Sequence, residues 1–213
     1  YDINIEKPDL IVPRARCFTV PERMSVHGEI LEPLADDAVD GLISALDDSG
    51  AQAVAICLLH AYANPVHEQR LRDLLVERRP GLIVSMSSEV SPEAREFARL
   101  CTTIANAYIQ PLMSSYLADF AAAFTAEGLT CPILMMTAGG GMSTLDMATR
   151  FPIRLVESGP AGGAILAAQV AERVGHQQVL SFDMGGTTAK LCLIDGYLPQ
   201  TTRQFEISRA ARF

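Results

Sequence analysis

The spacing of apolar and polar residues changes along the chain, and each change marks an element. In the first 35 residues, short apolar pieces such as LIVP and FTV are interrupted by Pro8, Pro13, Pro21 and Pro33, a pattern of loops and edge strands. From Asp36 the period becomes helical. In DDAVDGLISALDDSG, Val39, Leu42, Ile43 and Leu46 share one face, acids fill the first turn, and Gly50 supplies a stop. AQAVAICLLH then reads as a fully buried strand. In AYANPVHEQRLRDLLVERRPG, Asn64 can cap a helix starting at Pro65, where a missing N–H is harmless; Leu71, Leu74 and Leu75 form its apolar stripe and Pro80-Gly81 ends it. LIVSMSSE follows as another strand.

Residues 92–127 carry the longest helical stretch, with Pro111 expected to end one helix and open the next. CPILMM is a short strand running into the loop TAGGGMS, after which Ser143 or Thr144 can cap a short helix. IRLVESGPAGGAILAAQVAERVG reads as a strand, a Gly-Pro turn and a helix. Its small residues Ala161, Gly162, Gly163, Ala164, Ala167 and Ala168 allow a close backbone approach. Two strands close the pattern. The alternation of helix and strand predicts an α/β layer architecture, with a boundary near residues 150–158 that divides the chain into 1–155 and 156–213.

Composition narrows the function classes. At 213 residues and 49% hydrophobic, the chain can bury one large core or two modest ones. A net charge of −8 with scattered Lys and Arg excludes a nucleic-acid footprint. No apolar run approaches the roughly 20 residues of a membrane span, and YDINIEKPDL lacks the layout of a secretory signal, so no membrane partner and a soluble, cytoplasmic protein are expected. The five cysteines are widely spaced without a C-x-x-C, which predicts reduced core residues. The ending RQFEISRAARF lies within an extended pattern, and the chain is expected to be a fragment of a longer protein.

The stretch LSFDMGGTTAKLCLIDG carries the chemistry. A strand delivers Asp183 to its end, Gly185-Gly186 permits the positive φ of a tight hairpin turn, and Thr187-Thr188 begin the return strand. A type I′ hairpin accounts for the glycines alone. The acid ahead of bare amides and the hydroxyls after them add the parts needed for a phosphate and its hydrated Mg2+. The G-K-[ST] ending of a Walker loop is absent, and so is a dinucleotide fingerprint.

DMGGTTAK after VLSF, preceded by RLVESGPAGGAILAAQ, resembles the hydantoinase/oxoprolinase family. LLHAYANPVHE, SSEVSPEAREFARLCTTIANAYIQP and AGGGMS extend the likeness over nearly the whole chain. ATP-dependent members of that family include N-methylhydantoinases, 5-oxoprolinases and acetone carboxylase subunits. The resemblance implies the actin, hexokinase and heat-shock ATPase fold (ribonuclease H-like), two lobes on mixed sheets with ATP between paired phosphate hairpins. Residues 1–155 would be the C-terminal part of the first lobe, and 156–213 the connecting helix and the start of the second lobe with its hairpin.

The same resemblance implies residue roles. Asp183 would bind Mg2+ through water or position the attacking water, and Gly185, Gly186, Thr187 and Thr188 would hold the β and γ phosphates. Glu157 sits where such ATPases place an acid near the catalytic water. Lys190, in a T-T-A-K ending similar to that of hydantoin-utilisation proteins, either reaches a phosphate or points to solvent. The family's first phosphate hairpin, of D-x-G-G-T-F-T-D type, and its adenosine segment, of G-A-G-G-G-S type, do not occur in this sequence. TAGGGMS lies too early for the latter. Half an ATP site is therefore expected, with the isolated piece inactive.

Other clusters carry less. His60, His67 and Glu68 collect two imidazoles and a carboxylate without the i, i+4 spacing of helical metal sites. His60, at a strand's C-terminal end, is the better candidate for contact with substrate. Glu89, Glu93, Arg95, Glu96 and Arg99 read as intrahelical ion pairs. The function expected is that of an ATP-dependent hydrolase opening a cyclic amide such as hydantoin or 5-oxoproline, with a second, beta-type subunit or domain as partner and a homo-oligomer left open. The alternatives are an acetone-carboxylase-like subunit and a non-catalytic actin-like nucleotide-binding or assembly module.

Overall fold

The structure is a computed structural model that describes residues 10–186, 188–202, 206–208 and 211–212. It divides into two compact units, Tyr1–Leu112 with Gln204–Phe213, and Met113–Arg203. The alternation read from the sequence is present in it, and the chain is α/β.

In the first unit, β1 (Arg23–Met24) and β2 (Ile30–Glu32) form a short antiparallel ladder, followed by α1 (Ala38–Ser49), β3 (Ala53–Ile56), α2 (Val66–Arg78), β4 (Ile83–Met86) and α3 (Ser87–Val90). β3 and β4 pair in parallel from Ala53↔Ile83 to Ile56↔Met86, with α2 as their crossover. The core lies between this ladder and the two helices: Val39 and Leu46 of α1 and Leu71, Leu74 and Leu75 of α2 close over Ile56, Leu82 and Met86. Gly50 ends α1 with φ 64°, a conformation that suits a residue without a Cβ. Pro65, not Asn64, is the N-cap of α2; Asn64 lies one residue earlier, its side-chain oxygen accepting from the Val66 N–H at 3.2 Å. Its amide also donates to the Gly28 carbonyl at 2.9 Å, which pins the β1–β2 turn.

Three expectations change here. The strand in AQAVAICLLH is only four residues long and half-buried apart from Ile56. The strand in LIVSMSSE stops at Met86, because Ser87 turns inward to a buried carboxylate and starts the helical turn of α3. Pro111 does not split the helix after residue 92. It lies inside one continuous helix, α4 (Glu96–Ala126), of 31 residues. The proline lacks the N–H for one i→i−4 bond and its ring crowds the carbonyl four residues back, yet the helix continues on both sides of it.

In the second unit, β5 (Leu134–Met136) and β6 (Met142–Thr144) form a hairpin whose turn needs the left-handed φ of 81° at Gly140. Thr144, rather than Ser143, caps α5 (Leu145–Arg150) by accepting from the Met147 N–H. The segment expected as the strand IRL is instead a single 3-10 turn, Pro152–Leu155, for which Pro152 at its first position is preorganised. Next come α6 (Ser158–Val174), β7 (Gln178–Met184), β8 (Ala189–Asp195) and β9 (Leu198–Pro199), the last three forming one antiparallel sheet in the order β7-β8-β9. The short strands β10 (Glu206–Ser208) and β11 (Ala211–Arg212), which belong to the first unit, pair antiparallel.

Ala164, Ala168 and Ala171 are buried along α6, so its small residues bring the helix backbone close to the elements it packs against, as the sequence implied. Along β7 and β8, burial alternates: Val179, Ser181, Cys192 and Ile194 lie on the more covered face, while Leu180, Phe182, Leu191 and Leu193 stand exposed on the other. β5, β6 and α5 pack with one another and, through β5, with α6. Compactness alone divides the chain at Leu112/Met113. Among the described residues each sheet is wholly parallel or wholly antiparallel, so the mixed sheets expected do not appear within them. No described helix is long and apolar enough to cross a membrane.

Candidate active site

The β7–β8 ladder runs from Gln178↔Asp195 to Met184↔Ala189, and beyond its last pair the Gly185 N–H donates to the Thr188 carbonyl at 3.1 Å. This corrects the expected two-residue type I′ turn: neither Gly185 nor Gly186 has a left-handed φ. A Cβ built on either glycine meets nothing within 4 Å. What glycine contributes here is open space over its backbone amides, the condition for a phosphate to approach closely.

That loop forms one wall of a cavity of about 350 Å³ lined by Leu155, Glu157, Ser158, Gly159, Pro160, Asp183, Gly185, Thr188 and Lys190. The volume is at the small end of ligand pockets, which run from roughly 300 to 1,000 Å³. Five sequence candidates thus come together: Asp183, Gly185, Thr188, Lys190 and Glu157. Gly186 sits in the same loop, while Thr187 lies outside the described residues. The opposite wall is the first turn of α6, where Ser158, Gly159 and Pro160 had registered in the sequence only as a turn. The signal that could have found them is that a helix N-terminus, with its unpaired N–H groups, suits an anion.

Glu157 is the residue before α6 and adopts φ 63°, ψ 18° without capping the helix through its side chain. A left-handed conformation is uncommon for a residue with a Cβ and marks strain held in place by its surroundings. The other described non-glycine residues with positive φ are His60 and Tyr197, so two sequence candidates are among the three outliers. The Lys190 ammonium donates to the Glu157 carboxylate at 2.7 Å. Of the two orientations left open for Lys190, neither describes this contact.

The donor set of the cavity fits Mg-ATP phosphates in kind: an exposed carboxylate at Asp183, a hydroxyl at Thr188, open amides and an ammonium. Asp183 with Thr188 would hold the metal side of such a ligand. Among the described residues, no group of three or more His, Cys, Asp or Glu is placed to bind a metal directly.

His60 belongs to the first unit. It is half-buried, its Nδ1 lies 3.3 Å from the Tyr62 hydroxyl, and its ring meets Tyr62 edge-on. His67 is bonded through Nδ1 to buried Glu22 at 2.7 Å. The Glu68 carboxylate, wholly buried, accepts from the Leu58 N–H at 2.9 Å, the Ser87 hydroxyl at 2.6 Å and the Ser88 N–H at 2.9 Å. His67 and Glu68 therefore serve as structural anchors.

Arg99 departs from its expected role in an intrahelical ion pair. It is wholly buried, donating to the Ser87 hydroxyl oxygen and to the Glu93 and Leu58 carbonyls, with Tyr62 under its guanidinium. The charges of Glu68 and Arg99 thus meet through the Ser87 hydroxyl. The cysteines divide: Cys101 is buried and Cys57 and Cys192 are half-buried, but Cys17 and Cys131 are exposed, against the expectation of five core thiols. Burial pushes the Cys57 thiol up from its ordinary value, the opposite of what a nucleophilic thiolate needs.

Comparison with known proteins gives a consistent result. The sequence model described as Hydantoinase/oxoprolinase matches residues 99–211, and that of the Hydantoinase/oxoprolinase N-terminal region matches residues 1–78. A protein of Methanocaldococcus jannaschii is 35% identical over 97% of the chain and 30% of its own length. Caprolactamase subunit alpha of Pseudomonas jessenii is 30% identical over 92% of the chain and 28% of its own length. The crystal structure of that ATP-dependent caprolactamase superposes with a TM-score of 0.77 at 29% identity over 91% of the chain and 28% of its own, and a nucleotide-free structure of acetone carboxylase with 0.78 at 29% identity over 89% of the chain and 27% of its own. The chain spans less than a third of the length of these relatives.

Proposed function

The chain belongs to the hydantoinase/oxoprolinase family, and from that premise we propose that it is part of an ATP-dependent enzyme that opens a cyclic amide ring. The observation that carries the proposal is the single cavity into which Asp183, Gly185, Thr188, Lys190 and Glu157 converge. Transfer of the γ-phosphoryl group to the amide oxygen would release ADP and make the carbonyl carbon electrophilic. Water would then add to that carbon, and rupture of the ring C–N bond would give an acyl phosphate, whose hydrolysis by a second water releases phosphate and leaves the ring-opened acid.

Within this reading, the amides of Gly185 and Gly186 and the hydroxyls of Thr187 and Thr188 hold the β and γ phosphates, with Lys190 adding positive charge beside them. Glu157 takes the proton of the attacking nucleophile. Asp183 holds Mg2+ through water, and the metal, when bound with nucleotide, neutralises the phosphate oxygens. The chain would supply one phosphate jaw of an actin-like, two-lobed ATPase, residues 1–155 closing the first lobe and 156–213 opening the second. His60 is the candidate for substrate contact. A second subunit is expected because a relative is itself named as subunit alpha of its enzyme, and ATP as cosubstrate suits a cytoplasmic protein. An acetone-carboxylase-like reaction shares the same ATP step, and the likeness to that enzyme's structure keeps it as the second reading.

The test uses the full-length protein. Mg-ATP is titrated by calorimetry into wild type and Asp183→Ala, and ATPase activity is followed with hydantoin, 5-oxoproline, caprolactam and acetone. Loss of about 100-fold or more of substrate-stimulated turnover in Asp183→Ala is expected. Undiminished turnover by the variant sinks the site assignment, and ATP binding without stimulation by any of the four favours a nucleotide-binding assembly module.

A further inference from the structure

Lys190 stands opposite Asp183 in the β7–β8 register, so the two side chains rise from one face of the hairpin. From there the Lys190 ammonium crosses to the Glu157 carboxylate at 2.7 Å, tying the strand that follows the glycine loop to the residue that opens α6. Both side chains are about one-third exposed, 35% and 33%. An ion pair this accessible adds little to the stability of a fold, because water screens it and two flexible side chains must be held still. Glu157 meanwhile keeps a left-handed backbone at φ 63° with no cap bond to the helix. A strained acid at a cavity wall, fixed in direction by one lysine, is arranged to aim a carboxylate rather than to support packing.

We propose that Lys190 is the positioning residue for Glu157: it holds the carboxylate over the phosphate cavity, and it acts on turnover through that acid more than by gripping nucleotide. The proposal rests on the ATP-site reading above. A lysine ammonium has three N–H donors, so one can stay on Glu157 while another turns toward a phosphate oxygen. The lysine and the acid then form one unit, and removing either disables the same function.

A double-mutant cycle on the full-length protein separates the possibilities. Mg-ATP affinity and substrate-stimulated kcat are measured for wild type, Glu157→Gln, Lys190→Met, Lys190→Arg and the double variant Glu157→Gln/Lys190→Met. Losing a positioned base lowers kcat by about 100-fold or more, so Glu157→Gln is expected in that range and Lys190→Met at about tenfold or more. The double variant should be no slower than Glu157→Gln alone, since a lysine with no carboxylate to hold has nothing left to do. Lys190→Arg, which keeps an N–H aimed at the acid, should recover most of kcat, and in Lys190→Met the fall in kcat should exceed any rise in Kd. Where Lys190→Met disturbs the hairpin by circular dichroism, Lys190→Gln takes its place in the cycle. Losses that multiply in the double variant overturn the proposal, as does a Lys190 variant that weakens ATP binding with kcat intact. A wild type that binds no Mg-ATP removes the ATP-site reading and this inference with it, whereas normal binding with multiplying losses removes the inference alone.

Discussion

Asp183 and Lys190 are direct partners across the β7–β8 ladder, and the lysine of that pair is bonded to a second acid, Glu157. The charged groups lining the cavity are therefore two carboxylates against one ammonium. Such a wall repels a bare triphosphate: even in water, two like charges 4 Å apart oppose each other by about 1 kcal/mol. ATP binding by the full-length protein should accordingly depend on a divalent cation. With EDTA in excess, calorimetry should show affinity at least about tenfold weaker than with Mg2+, a difference of about 1.4 kcal/mol. Equal affinity with and without the cation would mean that Asp183 does not face the metal.

The glycines of the loop make a second prediction. Neither Gly185 nor Gly186 needs a positive φ, and a Cβ on either meets nothing within 4 Å. Gly185→Ala should then fold as well as wild type, with a gain of up to about 0.5 to 1 kcal/mol from a less flexible unfolded chain. The same methyl group projects into the room a phosphate would use, so ATP affinity should fall about tenfold or more. Thermal melts and ATP titration on one preparation measure the two effects. A destabilised variant with normal ATP affinity contradicts the role given to the loop.

How much the sequence showed depended on the range of the interaction concerned. Gly50 was legible because a helix stop is local, decided by neighbours within four residues. The cluster around DMGGTT was legible because chemistry-bearing residue types are contiguous there. Pro111 misled because its cost is local, while the helix around it is maintained by the residues on both sides. Gly185-Gly186 misled about conformation because glycine permits a positive φ without requiring it. Arg99 was hidden altogether: its partners Leu58 and Ser87 lie 41 and 12 residues away, and no spacing rule connects them. The Glu157–Lys190 contact spans 33 residues and was equally invisible.

The buried cluster of the first unit should dominate its stability. Replacing Glu68 with Ala leaves the Leu58 and Ser88 N–H groups and the Ser87 hydroxyl without their acceptor, and Arg99 without its counter-charge. Removing one partner of a buried charge pair costs about 3 to 5 kcal/mol. Glu68→Gln keeps the shape but turns a donor toward one of these donors, at a cost of about 1 to 3 kcal/mol. Glu77, exposed on the same helix, is the control, and Glu77→Ala should stay within about 0.5 kcal/mol of wild type. Urea unfolding followed by circular dichroism gives the order, and Glu68→Ala near wild-type stability would show the cluster to be dispensable.

Cys57 lies beside this cluster and links it to pH. Burial raises its thiol above the ordinary 9.0, outweighing the opposing pull of the Ser87 hydrogen bond and the Arg99 charge; burial raises Cys101 in the same direction. The folded state thus favours the neutral thiol more than the unfolded state does. The resulting stability is fully present below about pH 9 and is lost as pH rises through the folded-state value, because the unfolded chain sheds its thiol protons first. The unfolding free energy should fall more steeply between about pH 8.5 and 10 for wild type than for Cys57→Ser/Cys101→Ser. Alkylation at pH 8 provides an independent check. Exposed Cys17 and Cys131 should be modified first and Cys57 and Cys101 last, an order that mass spectrometry reads directly. Early modification of Cys57 would show that its thiol is neither shielded nor raised.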